Sequence, residues 1–132
     1  MDPWALVGRW RLDRLIADRR SGQFGRVRGE LSIEADAGGL RWVEVGELGW
    51  DGELLSVSRT LLMRQLEDGW WVTFSDGRPF HAWTDRRRVE HRCAADTYVG
   101  VIDARPDRIR TLWDVAGPAK SLRIVTRFAR CR

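Results

Sequence analysis

Short apolar segments that alternate with polar residues recur along the chain. In residues 26–34, Val27, Leu31 and Ile33 lie between charged or polar neighbours. The same period of two occurs in three further segments: 70–75, 109–116 and 121–130. Because successive side chains of a β-strand point to opposite faces, this period is typical of strands that bury one face and expose the other. The pattern predicts antiparallel sheet.

Turn-forming residues separate these segments at regular intervals. Gly, Pro, Asp and Ser cluster at residues 21–22, 36–39, 50–52, 67–69, 76–79, 105–107 and 117–118, and a further break is expected at 86–88. Eight or nine strands can be counted, and a closed up-and-down barrel needs an even number. We therefore predict an all-β fold: one antiparallel barrel of eight to ten strands over residues 1–132, with a short helical turn near Pro3.

The first segment leaves an alternative open. Trp10, Leu12, Leu15 and Ile16 also fit the apolar stripe of a helix across residues 10–18. We favour a strand here, preceded by the helical turn at Pro3, because proline is well placed at the start of a helix.

Composition supports a single globular domain. The chain has 132 residues, 43% of them hydrophobic and 32% charged, which fits one core of ordinary size. No apolar run approaches the roughly 18 residues of a membrane span, and no signal-like segment opens the sequence, so we expect a cytoplasmic protein without a membrane partner. All but one of the 23 basic residues are Arg, yet they are scattered among 19 acidic residues. We therefore expect no nucleic-acid partner.

The two cysteines give little indication of a structural bridge. Cys93 and Cys131 lack the spacing of a metal site, and thiols are the expected state in a reducing compartment. A disulfide between them is the alternative. We expect no metal and no cofactor.

The first predicted strand begins with a known signature. Gly8-Arg9-Trp10 resembles the G-x-W motif of lipocalins. In that superfamily the Trp closes one end of the barrel, and an Arg of the last strand packs over its indole. The resemblance implies that Arg127 or Arg130 takes this part here, through a cation–π contact.

Nearly the whole chain also resembles a family of uncharacterised bacterial proteins assigned a calycin-like, lipocalin-related barrel. The resemblance lies in an ordered set of segments: Trp10 to Asp18, Asp76 to His81, His91 to Tyr98, and Gly117 to Lys120. The chain departs from the family pattern at Trp42 and Leu122, where Tyr is expected. The resemblance implies a fold and no established activity.

Two arginines are predicted to point into the barrel. Arg14 shares a strand face with Trp10, and Arg59 shares one with Leu61. A buried Arg is costly unless it is paired or faces a ligand. The carboxylates available as partners are Glu44, Asp76 and Asp96. A buried ion pair and an anion-binding role are both consistent with these residues.

A second group of polar residues is expected at the barrel mouth: His81, His91, Cys93, Asp96 and Tyr98. Either imidazole has the chemistry for acid–base work, and Asp96 is placed to orient one of them. Two further interpretations have less support in the sequence: Cys93 as a nucleophile with a His as its base, and zinc ligation by the His, Cys and Asp side chains. The simplest interpretation is that the imidazoles hydrogen-bond locally and fix loops.

Two functions remain open. The first is binding of an apolar, carboxylate or other anionic small molecule inside the barrel of a monomer or homodimer. The residues assigned to this site are Arg14, Glu44, Arg59, Arg78, His81, His91, Cys93, Tyr98, Trp113 and Lys120. The second is a small enzyme with an acid–base site made of His81, His91, Asp96 and Tyr98. Haem binding, as in nitrobindin-like barrels, is disfavoured because those proteins use a late His, and residues 92–132 contain none.

Overall fold

The computed structural model describes residues 1–132 and is almost entirely antiparallel β-sheet. One turn of 3-10 helix, Pro3–Leu6, precedes ten strands. The strands are β1 Gly8–Asp18, β2 Phe24–Asp36, β3 Gly39–Trp50, β4 Glu53–Leu66, β5 Gly69–Phe74, β6 Pro79–Ala82, β7 Arg88–Cys93, β8 Asp96–Ala104, β9 Arg108–Ala116 and β10 Ser121–Arg130. The all-β prediction is confirmed, with the strand number at the upper end of the expected range.

The strands form one sheet in the order β6-β5-β4-β3-β2-β1-β10-β9-β8-β7. Consecutive strands pair as hairpins, and β1 pairs with β10, so that the sheet curls into a nearly closed barrel. No ladder joins β6 to β7, where residues 83–87 form the connection. The helical alternative for residues 10–18 is wrong, because this segment is hydrogen-bonded on both sides within the sheet.

Trp10 lies at the closed end of the barrel. Its side chain is fully buried, and its indole Nε1 donates a hydrogen bond to the Leu6 carbonyl oxygen at 3.0 Å. The guanidinium carbon of Arg130 lies 4.3 Å from the centroid of the Trp10 ring. Arg127 is on the opposite face of β10 and points outward, so Arg130 is the arginine that the lipocalin signature implied. The N-terminal turn therefore packs beneath the barrel as its floor.

The opposite end of the barrel is open. Because the strands alternate in direction, five loops meet there: 18–24, 50–53, 74–79, 93–96 and 116–121. Cys93 belongs to this end, while Cys131 follows β10 at the closed end, and both thiols are free. The disulfide alternative is therefore wrong. No helix is long and apolar enough to cross a membrane.

Candidate functional site

A buried carboxylate joins two arginines inside the barrel. Glu44, on β3, is 3% exposed. Its Oε1 accepts a hydrogen bond from Nη1 of Arg14 at 2.9 Å, and its Oε2 accepts one from Nη2 of Arg59 at 3.0 Å. Arg14 lies on β1 and Arg59 on β4, the strands on either side of β2 and β3. Of the three partners considered for the inward arginines, Glu44 is therefore the one that binds both.

Two neighbouring side chains complete this network. The indole Nε1 of Trp42 donates to Oε2 of Glu44 at 2.9 Å, and Nε of Arg14 donates to Oγ1 of Thr126 at 2.8 Å. Trp42 stands where the family resemblance led us to expect Tyr, and its indole N–H supplies the polar contact. Charge-assisted hydrogen bonds of this kind fix the geometry of both guanidinium groups.

The network holds Glu44 ionised. Burial by itself would raise the pKa of this carboxyl, but the charges of Arg59 and Arg14 and the hydrogen bonds from Arg14 and Trp42 outweigh it. They lower the pKa of Glu44 to about 2. At neutral pH two guanidinium cations therefore share a single carboxylate, and the barrel interior keeps a positive charge. The Arg59 side chain is 45% exposed, whereas that of Arg14 is 14% exposed, so Arg59 is the accessible cation.

Aromatic rings form a wall beside these charges. Phe80 stacks on Trp113 with ring centroids 5.2 Å apart and planes at 16°, and on Phe74 with centroids 4.8 Å apart. Gly100 pairs with Trp113 across β8 and β9, and a Cβ on Gly100 would lie 2.5 Å from the Trp113 ring. The absence of a side chain at Gly100 therefore leaves room for the indole to lie against the sheet.

Arg59 lines four cavities: one of about 190 Å³ beside Arg14 and Glu44, a small one beside His81, and the inner and outer cavities described next. The inner cavity has a volume of about 180 Å³ and lies between Arg14, Phe80, Trp113 and Thr126. The outer one, about 480 Å³, opens at the mouth and is lined by the residues Arg59, Phe74, Arg78, Pro79, Phe80, His91, Arg92, Cys93, Ala94 and Tyr98. The structure thus brings eight of the predicted ligand-binding residues to the interior or to the mouth around Arg59. A ninth, His81, lines a further small cavity of about 40 Å³ with Arg59 and Trp42.

His81 is a buried, neutral imidazole. Its Nδ1 lies 2.8 Å from the Ala82 carbonyl oxygen, which can only accept, so Nδ1 carries the proton and Nε2 is left as an acceptor. Burial lowers the pKa of His81 to about 4, and the nearby Arg59 charge adds to this effect against the Ala82 hydrogen bond. At neutral pH His81 therefore adds no charge to the barrel interior.

The remaining predicted residues are dispersed. Asp96 pairs with Lys120 at 3.3 Å, and this hydrogen bond raises the pKa of Lys120. Neither residue lines the two cavities. Asp76 pairs with Arg78 at 2.7 Å in the hairpin between β5 and β6. Asp96 therefore binds the ammonium group of Lys120 and not an imidazole. Elsewhere in the chain, no three His, Cys, Asp or Glu side chains lie close enough together to hold a metal ion.

Sequence reasoning missed three contributors to the site. Trp42 and Thr126 hold the charged network, and Phe80 is the central ring of the aromatic wall. Thr126 was detectable, because it is a polar residue on the inner face of an otherwise apolar strand. Trp42 gave no such signal, since a Trp on an inner face looks like an ordinary core residue.

The nearly closed antiparallel meander, with Trp10 and Arg130 at its closed end, defines a calycin, or lipocalin-like, barrel. Residues 6–130 match the profile of a family described as "Family of unknown function (DUF6314)", and the chain belongs to that family. No curated protein matches the sequence.

Two solved structures are reported as similar to the chain. The S-type phycobiliprotein lyase CPES from Guillardia theta has a TM-score of 0.64 at 15% identity, covering 98% of this chain and 90% of its own. The odorant binding protein OBP1 has a TM-score of 0.46 at 12% identity, covering 99% of this chain and 75% of its own. The lyase confirms the barrel architecture.

Proposed function

We propose that the protein binds a small organic anion inside the barrel, with the anionic group at Arg59 and an apolar, planar part against Trp113 and Phe80. The observation that carries this proposal is that Arg59 and Arg14 share the single carboxylate of Glu44. A guanidinium that is half exposed to a cavity and only partly neutralised favours a second carboxylate as its partner.

Energetics support a ligand in this place. A charge inside a barrel is costly unless it is paired. Glu44 offers one carboxylate to two guanidinium groups, so a bound anion would neutralise the positive charge that is left over. His81 adds no charge, but its Nε2 is available to accept a hydrogen bond, so a ligand with an N–H or O–H group beside its anionic group would satisfy both His81 and Arg59.

The size of the space also suits a small molecule. The mouth cavity of about 480 Å³ lies within the range of roughly 300–1,000 Å³ for small-molecule sites. The inner cavity of about 180 Å³ extends it past Arg59 toward Trp113. Arg78, His91, Cys93 and Tyr98 line the mouth, and we assign them to the outer part of the ligand.

The experiment compares a carboxylate with its neutral amide. Naphthalene-2-carboxylate and naphthalene-2-carboxamide are titrated into the protein by calorimetry, and native mass spectrometry of freshly purified protein tests for a retained ligand. We expect the carboxylate to bind at least tenfold more tightly than the amide, and Arg59→Gln to abolish that preference. Arg64→Gln is the matched control, because Arg64 pairs with Asp36 away from both cavities. A protein that carries no ligand and binds neither probe, or a preference that persists in Arg59→Gln, overturns the proposal.

A further inference from the structure

The outer wall of the barrel carries a concentrated positive charge that the interior site does not use. A groove of about 580 Å³ crosses β9, β10, β1 and β2. Its ionisable side chains are six arginines and one aspartate, a net charge of +5: Arg11, Arg26, Arg28, Arg108, Arg110, Arg127 and Asp13. The whole chain has a formal charge of +4. The excess positive charge of the protein is therefore located on this arginine groove, and the rest of the molecule is close to neutral.

Most of the arginine groove has no carboxylate partner. Asp13 forms a two-point pair with Arg26, at 3.0 and 2.8 Å. The other five arginines of the groove make no ion pair. Strand register places Arg110 directly opposite Arg127, a pair of like charges on adjacent strands about 4.8 Å apart, which costs free energy unless an anion lies on it. The carboxylates opposite other groove arginines are already engaged: Asp13 pairs with Arg26, Glu30 with Arg9, and Asp103 with Arg86 and Arg105.

An apolar row lies directly beside the arginine groove. It consists of Val101, Leu112, Val125 and Leu15, which are cross-strand neighbours on the outer face of β8, β9, β10 and β1. On each strand, the member of the apolar row is two residues from the member of the neighbouring row, which contains Arg110 and Arg127. Two residues of a strand span about 6.6 Å. Leu15 is 51% exposed, and its partner on β2 is Arg26; Phe24, 71% exposed, lies two residues from Arg26 on the same outer face, opposite Ala17. Four adjoining apolar side chains on the solvent-facing side of a sheet form a contiguous apolar patch, unlike single exposed apolar residues.

We propose that the arginine groove and the apolar row together bind an acidic protein surface that carries apolar side chains beside its carboxylates. Apolar contact area bordered by Arg is the composition of protein–protein interfaces. A second copy of this chain is disfavoured as the partner, because two faces of net positive charge repel each other. Nucleic acid is disfavoured because Phe24 is the one exposed aromatic beside the groove, and successive bases need several stacking rings. A phosphate backbone would also leave the apolar row uncovered.

The test uses a fluorescein-labelled peptide of four Glu-Leu repeats, followed by fluorescence anisotropy at low and physiological salt. The comparison probes are a peptide of four Lys-Leu repeats, a twelve-nucleotide oligothymidylate and inorganic phosphate. We expect the Glu-Leu peptide to bind more tightly than the other three, with an affinity that falls as salt rises.

The variants separate the two halves of the surface. Arg110→Gln/Arg127→Gln is expected to weaken Glu-Leu binding at least tenfold, and Leu15→Ser/Val125→Ser at least threefold. Arg41→Gln/Arg87→Gln is the matched control, since it removes the same charge from β3 and from the connection between β6 and β7, away from the arginine groove, and it is expected to change binding less than twofold. Should the first double variant misfold by circular dichroism, Arg11→Gln/Arg28→Gln replaces it with the same expectation.

Three results overturn the proposal. The first is Glu-Leu binding equal in the wild type and the groove variant. The second is tighter binding of oligothymidylate, lost in the groove variant, which would make the groove a nucleic-acid surface. The third is a combination of two results: the Leu15→Ser/Val125→Ser variant binds the Glu-Leu peptide as tightly as the wild type does, and inorganic phosphate competes with the peptide. The groove would then be a site for small anions.

Discussion

The guanidinium of Arg130 lies over the indole of Trp10, with its central carbon 4.3 Å from the ring centroid. The two residues are direct partners in the β1–β10 ladder, which joins the first strand to the last. The same guanidinium donates from Nη1 to the Val7 carbonyl at 2.9 Å and from Nη2 to the Ala5 carbonyl at 2.6 Å. The Arg130 side chain therefore connects the N-terminal turn to the closed end of the barrel, where the first strand pairs with the last.

Arg130→Met is expected to lower the free energy of unfolding by at least about 2 kcal/mol. It removes a cation–π contact worth about 0.5 to 2 kcal/mol and three hydrogen bonds from a charged donor, each worth about 1.5 to 3 kcal/mol, while it keeps most of the packing over Trp10. Urea denaturation followed by circular dichroism measures the change. Arg132→Met is the control, because Arg132 is exposed beyond the last strand. Equal stability of the two variants would show that the contact contributes nothing.

Glu44→Gln is expected to cost about 3 kcal/mol of stability. The amide keeps the shape of the side chain but leaves the largely buried Arg14 cation without its counter-ion, and breaking a buried pair on one side typically costs 3 to 5 kcal/mol. Thermal and urea unfolding measure the loss. Glu47→Gln, on the outer face of the same strand, is the control and is expected to change stability by less than about 0.5 kcal/mol. A Glu44→Gln protein as stable as this control would contradict the role given to the network.

Much of the fold and part of the site could be predicted from the sequence. Period-two alternation identified four of the strands, and the face of Trp10 placed Arg14 inside the barrel, where Glu44 was one of three candidate partners. Glu44 and Arg59 are direct partners in the β3–β4 hairpin, so that pair follows from hairpin register. The local pattern could not show that Glu44 would also bind Arg14 on β1, or that Asp96 would pair with Lys120, because these contacts depend on the curvature of the sheet and the course of the loops. Nor could it show that the ladder stops between β6 and β7, since strand closure depends on the curvature of the whole sheet.

Stability is expected to fall as the pH is lowered from 6.5 toward 4, and His81 is the cause. The pKa of His81 is about 4 in the folded protein and near 6.5 in an unfolded chain. Between these values the unfolded state binds more protons, so stability is greatest above pH 6.5 and decreases on acidification. The lowered pKa of Glu44 acts in a separate pH range, because its contribution to stability is lost as the pH falls below about 4.5.

The measurement is urea unfolding at pH 7.0 and pH 5.0. We expect the wild type to lose about 2 kcal/mol between them. His81→Gln is expected to lose much less, because its amide can still donate to the Ala82 carbonyl but does not titrate. His91→Gln is the control, since it removes an imidazole from the same aromatic cluster and leaves His81 in place. An unchanged pH dependence in His81→Gln would reject the assignment.

Gly100→Ala is expected to disturb the aromatic wall more than the barrel around it. The added Cβ would lie 2.5 Å from the Trp113 ring, so the indole must move away from the sheet and out of its stack with Phe80. Overpacking of this kind costs about 1 to 3 kcal/mol. Gly49→Ala is the matched control, because a Cβ there meets nothing closer than the Arg26 carbonyl oxygen at 3.9 Å. Since Trp113 lines the inner cavity, Gly100→Ala should also weaken naphthalene-2-carboxylate binding at least fivefold, whereas Gly49→Ala should not. If Gly100→Ala lowers stability but leaves the affinity unchanged, Trp113 is part of the packing and not of the ligand site.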